Sequence, residues 1–207
     1  MISLKSVNYS ENENEILKNI NVDIIKNKTT VIMGKNGSGK STLLNLINKI
    51  YEPTSGSIIS ELTKPIPMLF QKPILFERSV NYNYHLLHKI KKHEINSYWF
   101  NCFQLDKIKN QNALSLSGGE KQKLFLSRLM SFNQNNLFLD EPNQNLDLES
   151  EKLLIKLLRE EKITKTIVMT LHDFEIAKNI ADNIIYLDQG RVLYNLKTLD
   201  FFEVFKY

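Results

Sequence analysis

The chain carries Thr29-Thr30-Val31-Ile32-Met33-Gly34-Lys35-Asn36-Gly37-Ser38-Gly39-Lys40-Ser41-Thr42. Thr29 to Met33 is a short β-rich run that ends at Gly34. From Gly34, Lys35, Asn36 and Gly37 through Ser38, Gly39 and Lys40 to Ser41 and Thr42, the sequence fits G-x-x-x-x-G-K-[ST] throughout. Glycines let backbone N–H groups curl around phosphate oxygens where a side chain would block approach. Leu43, Leu44, Leu46, Ile47 and Ile50 then recur at helical spacing, predicting a helix over 40–50. A loop that opens a helix presents its positive end to an anion. Lys40 is expected to reach the β and γ phosphates of a nucleotide, and the Ser41 hydroxyl to sit on Mg²⁺.

Outward from this unit, strands alternate with helices, which argues for an α/β fold. Ile2–Tyr9 and Ile16–Ile25 read as strands joined by the polar turn SENENE. Between Pro73 and Asn112 the pattern changes to two helical stretches, 79–90 and 93–105, with no strand between them. They predict a helical subdomain. Further helices are expected over 118–132, 148–161 and 173–181, and strands over 137–140 and 166–170. Ile184–Leu187 and Arg191–Leu196 flank Asp188-Gln189-Gly190, a hairpin signal.

The strand Asn136-Leu137-Phe138-Leu139 runs into Asp140-Glu141. Buried charge is costly without a task, and a strand end beside a phosphate loop supplies one. Asp140 is the candidate Mg²⁺ holder and Glu141 the candidate base for an attacking water. Both motifs occur in many P-loop proteins. A third segment, Leu116-Ser117-Gly118-Gly119-Glu120, separates them: it is a Ser-Gly-Gly turn opening a helix, readable as a second anion site or as an ordinary cap on Ser117.

With LSGGEKQKLFLSRL running to Leu129, the chain resembles the ATP-binding cassette ATPases over nearly its whole length. That resemblance implies one cassette domain over 1–207. It would comprise a P-loop NTPase core at about 1–71 and 131–207, an antiparallel β subdomain, and a small helical subdomain at about 72–130 carrying the signature motif. It implies ATP and Mg²⁺ as ligands and a nucleotide-sandwich dimer. In such a dimer Ser117, Gly118, Gly119 and Glu120 of one copy would meet the nucleotide held by the other. It assigns Tyr9 to stacking on adenine and Gln71 to sensing Mg²⁺ and water. Asp147, in Asn145-Leu146-Asp147, would organise the dimer interface, and His172 would contact the γ-phosphate. Asn27 stands where the family usually has Gly, and Asn tolerates a left-handed backbone. Gln144 and Asn145 replace smaller residues, and Lys123 and Ser127 replace common Arg and Ala. These departures bear on how tightly two copies pair.

The composition agrees with an ordinary folded core: 207 residues, 42% hydrophobic, 24% charged, formal net charge +4. No Lys/Arg cluster interleaved with aromatics marks a nucleic-acid face. No apolar run is long enough to cross a bilayer, and the N-terminus reads as a strand rather than a signal peptide, so a cytoplasmic location is expected. Cys102 is the single cysteine, read as a small core residue. His85, His88 and His93 lie close in sequence, but no second cysteine joins them and they are not read as a metal site.

The resemblance therefore predicts the energising subunit of a membrane transporter, bound to the inner face of the membrane through a separate permease. Gln71-Lys72-Pro73-Ile74-Leu75-Phe76 followed by Ser79-Val80 is similar to the importer pattern, which brings a substrate-binding protein as a further partner. The sequence reaches Tyr207 soon after the hairpin, so the regulatory C-terminal domain of sugar-importer subunits is not expected. Oxyanion importers for tungstate or molybdate are the favoured type, with amino-acid importers and lipoprotein or peptide exporters as alternatives. A soluble cassette ATPase, as in iron–sulfur assembly, is a further alternative. A P-loop small-molecule kinase would leave LSGGE and His172 without a role.

Overall fold

The computed structural model describes residues 1–62, 66–91, 96–132 and 134–205, with backbone alone at 87–91. Two sheets organise the described residues. The larger has five strands, ordered β5 (Asn136–Asp140), β6 (Thr166–Thr170), β3 (Thr29–Gly34), β7 (Asn183–Asp188) and β8 (Arg191–Lys197). All neighbours are parallel except the β7–β8 hairpin. β3 is central, and its Thr29 to Met33 are all buried, as a strand covered on both faces requires. Its side chains alternate: Val31 and Met33 join one apolar cluster, while Ile32 joins the other.

The smaller sheet is antiparallel, in the order β2 (Asn14–Ile24), β1 (Ile2–Glu11), β4 (Ser55–Ser60). The β1–β2 turn is tighter than the polar run SENENE suggested. Asn12 and Glu13 alone make it, both with positive φ (48° and 67°), the mirror-image turn that suits strand twist. Strand β4 was not among the expected elements. It forms because β1 offers an open edge, pairing Leu4 with Ile58 and Ser3 with Ile59.

Helix α1 (Lys40–Ile47) packs Leu43, Leu44, Leu46 and Ile47 against this sheet and against Phe138, Val168 and Ile185. It stops short of the predicted Ile50. Asn48 turns its side chain to the backbone of Ile66, accepting from its N–H at 3.1 Å and donating to its carbonyl at 2.9 Å, and Lys49 takes φ 56°. The opposite face holds α5 (Leu148–Glu161), α6 (Phe174–Ile180) and the helical segment. That segment contains α2 (Val80–Lys91), α3 (Tyr98–Cys102) and α4 (Gly118–Met130). The expected helix over 93–105 is thus reduced, in its described part, to α3 followed by a 3₁₀ turn at Leu105–Ile108.

One apolar cluster runs from Val31, Leu137 and Ile167 of the sheet through Leu154 and Leu158 of α5 to Trp99, Phe100 and Leu124. Cys102 sits half-buried against it. Asn27 takes φ 55°, the left-handed conformation expected of that position. A last helix, α7 (Thr198–Val204), closes the chain on an aromatic cluster in which Phe201 lies 5.8 Å from Tyr194 and 6.1 Å from Tyr186.

Candidate active site

Strand β3 delivers the phosphate loop to the edge of a cleft of about 690 Å³, lined by Ile16, Asn36, Gly37, Gly39 to Thr42, Gln71, Glu141, Gln144 and His172. Gly34 has φ 142°, and a Cβ there would lie 2.1 Å from the carbonyl oxygen of Leu187, so nothing larger fits. The β7–β8 hairpin braces the loop from the far side, with Gly190 N–H donating to Ser38 O at 3.2 Å. Gly39 caps α1 in a left-handed conformation, without a side-chain cap. The N–H groups of the first turn are therefore directed to an external acceptor. Lys40 Nζ donates to the carbonyls of Gly34 (2.9 Å) and Lys35 (3.0 Å), which holds the ammonium beneath the loop. Burial lowers the Lys40 pKa, and the nearby Glu141 and Asp140 pull it back up.

Behind Ser41, Asp140 is buried and its Oδ1 accepts from Ser41 Oγ at 3.1 Å and from Thr170 Oγ1 at 2.6 Å. Two hard oxygen groups, the Ser41 hydroxyl and the Asp140 carboxylate, thus converge as a Mg²⁺ site needs. Glu141 follows with φ 48°, a left-handed backbone that costs a non-glycine residue about 1–2 kcal/mol. Its Oε1 accepts from His172 Nε2 at 2.8 Å and its Oε2 from Gln71 Nε2 at 3.4 Å. Gln71 is brought there because Leu69 pairs with the edge of β5. Leu69 N–H donates to Phe138 O at 3.0 Å, and Leu69 O accepts from Asp140 N–H at 2.9 Å. The loop, Glu141, Gln71 and His172, far apart in sequence, thus share one cleft, and Asp140 is tied to it through Ser41.

Ser117, Gly118, Gly119 and Glu120 do not line it. They open α4 elsewhere, in a closed capping box. Glu120 Oε2 accepts from Ser117 N–H (2.8 Å) and Oγ (2.9 Å), and Glu120 N–H donates back to Ser117 Oγ (3.3 Å). The backbone N–H of Ser117 chiefly holds the Glu120 carboxyl below its usual range. Glu120 therefore serves the cap within its own chain. Gly119 has a second reason to be glycine, since a Cβ would lie 2.8 Å from Asn145 O. Asp147 caps α5, accepting from Ser150 N–H at 2.8 Å, and pairs with Lys123 of α4 at 3.3 Å. Tyr9 lies outside the cleft lining and is stacked on Tyr51, with ring centroids 5.2 Å apart and planes at 7°.

Four contributors escaped sequence reading. Ile16 and Gln144 line the cleft, Thr170 bonds Asp140, and Gln122 of α4 donates to the carbonyl of Pro142 at 2.9 Å. His85 is engaged with the carbonyl of Asn81, Nδ1 to O at 2.8 Å. The side chain of His88 and all of His93 lie outside the described residues, and among the described residues no His/Cys/Asp/Glu cluster has metal-site form. Among the same residues no helix is long and apolar enough to cross a membrane.

Residues 17–144 match the family model described as ABC transporter. The chain belongs to the ABC transporter family. It is an ATPase of that family, with the cassette fold. It is 37% identical over 181 residues to the tungstate uptake system ATP-binding protein TupC of Peptoclostridium acidaminophilum, covering 80% of this chain and 84% of the relative. It is 33% identical over 229 residues to the methionine import ATP-binding protein MetN of Francisella tularensis. That match takes in 98% of this chain but 65% of the relative, which is longer. Among solved structures it resembles the ATP-binding cassette MJ0796 in a dimeric post-hydrolysis state bound to ADP and Pi. That likeness has a TM-score of 0.82 at 27% identity, over 96% of this chain and 99% of that one.

Proposed function

We propose that this chain energises the movement of a solute across a membrane through a separate permease, hydrolysing ATP as a homodimer that closes over two nucleotides. The observation that carries the permease reading is an apolar groove of about 920 Å³ beside the cleft. Phe70, Ile74 and Phe76 expose large apolar surface there, and Leu86, Phe125, Leu129 and Phe132 are among the other residues that line it. A contiguous apolar hollow on a protein surface is the mark of a partner site. Gln71 lies on the strip between groove and cleft, lining both, so a helix seated in the groove would press on the residue that touches Glu141.

In the proposed reaction, the loop N–H groups and Lys40 bind the phosphates and Ser41 and Asp140 hold Mg²⁺. The ion's chemistry is to neutralise charge on the phosphoryl oxygens. Glu141 orients and deprotonates the attacking water, with His172 fixing its carboxylate. Ser117 and Gly118 are exposed at the start of α4, where they can meet the γ-phosphate held by a second copy. Tyr9, stacked on Tyr51 outside the cleft lining, is the proposed platform for the adenine. Import is favoured by the Gln71–Phe76 segment, and an oxyanion cargo such as tungstate by the likeness to TupC. A substrate-binding protein would then complete the system, with the ATPase held at the cytoplasmic face.

The test is recovery of partners from native membranes using the tagged chain. Co-purification of an integral-membrane protein, lost on Ile74→Glu, is expected. Recovery of soluble partners alone would reject the transporter reading in favour of a soluble cassette ATPase.

A further inference from the structure

Glu141 is held by its backbone as well as by its side chain. Its N–H donates to Thr170 Oγ1 at 2.9 Å. Its carbonyl lies 3.3 Å from Gln122 Nε2 and also accepts from Gln144 N–H at 3.1 Å, while the next carbonyl, that of Pro142, accepts from Gln122 Nε2 at 2.9 Å. Thr170 is fully buried and Gln122 nearly so. The Thr170 hydroxyl bridges the two residues: its one proton goes to Asp140 Oδ1 and one of its lone pairs takes the Glu141 N–H. It therefore fixes the relative position of two adjacent carboxylates whose peptide link would otherwise relax. Glu141 sits at φ 48°, a conformation that persists only where the surroundings over-determine it.

We propose that Thr170 and Gln122 are positioning residues that clamp the peptide groups on either side of Glu141, and that the clamp sets where its carboxylate points. The inference rests on the assignment of Glu141 as the base. Neither residue lines the cleft. Gln122 carries a second meaning, because it stands on α4, whose N-terminal cap is Ser117. The helix that meets the second copy's nucleotide thereby holds the backbone of its own chain's Glu141.

The experiment compares Thr170→Val, Thr170→Ser, Gln122→Met and Glu141→Gln by ATP binding, turnover and Mg²⁺ titration, with thermal melts confirming folding. Thr170→Val keeps the shape and removes the hydroxyl. Turnover should fall roughly 10- to 100-fold, the order expected when a reacting group is misplaced by about an ångström, with ATP affinity within about twofold of the original. Thr170→Ser should restore most of the rate. Adding Thr170→Val to Glu141→Gln should cost nothing further, since the clamp acts through that carboxylate. Normal turnover in Thr170→Val and in Gln122→Met would overturn the clamp. So would a defect repaired by raised Mg²⁺, which would place the effect on Asp140. If Thr170→Val does not fold, Gln122→Met alone decides by the same readouts. Normal turnover in Glu141→Gln would instead remove the underlying assignment of the base.

Discussion

His172 Nε2 lies 2.8 Å from Glu141 Oε1, across 31 residues of sequence and from a different strand end. The pair unites the residue best placed to take a proton from water with one able to donate to its carboxylate. The amide of Gln71, on the strip shared with the apolar groove, reaches the other oxygen.

Glu141→Gln should keep ATP binding and lose turnover by two orders of magnitude or more (roughly what removing a catalytic base costs). ATP-bound dimers should accumulate, readable by size-exclusion chromatography with ATP. Normal turnover in this variant would remove Glu141 as base.

Lys40→Ala deletes the buried ammonium that the loop carbonyls hold in place. Charge-assisted contacts to phosphate are about twice as strong as neutral ones, so ATP affinity should drop at least tenfold in a direct binding titration. Unchanged affinity would contradict the phosphate-loop assignment.

The backbone N–H of Ser150 chiefly, with help from Lys123, lowers the Asp147 pKa from 3.8 to about 2. A depressed carboxylate pKa means that the folded chain binds fewer protons than the unfolded one. The stabilisation is complete above about pH 4 and disappears as pH falls through about 2. Asn remains a good helix cap, so Asp147→Asn isolates the charge. Its melting temperature relative to the parent should be lower at pH 7 and converge with it near pH 2. A constant difference across that range would show that the carboxylate is not the titrating group.

Trp99 is buried between α4 and α5, and its Nε1–H donates to Glu161 Oε1 at 3.1 Å. Trp99→Ala should cost about 3–5 kcal/mol in urea denaturation, because cavity and transfer terms add. Trp99→Phe fills most of the space and should cost clearly less. A loss below about 1 kcal/mol for the alanine variant would argue that the helical segment is not stabilised through this side chain.

What could be read from sequence was local. The loop from Gly34 to Thr42, the strand ending in Asp140-Glu141 and the Ser117 cap each carry their chemistry within a few residues. Thr170 and Gln122 were missed because their meaning is relational. A threonine in TIVMT is only a β-former until folding brings its hydroxyl to Asp140, 30 residues away. Gln122 is only a polar helix residue until α4 docks beside Pro142. The strand Ser55–Ser60 was hidden by its Gly and Ser content, and α7 because its folding depends on the aromatic surface of Tyr186 and Tyr194. Helix α1 was overrun by three residues, since the stop lies in the Asn48 side chain and its distant partner Ile66.

Because Ser117 to Gly119 lie outside their own chain's cleft, the proposed machine is only as active as its copies are numerous. Specific activity of the purified chain should fall on dilution rather than stay constant. Two individually dead proteins, Lys40→Ala and Ser117→Arg, should recover part of the rate when mixed. The crippled loop of one and the crippled cap of the other can be segregated into one site of the pair, leaving the second site whole.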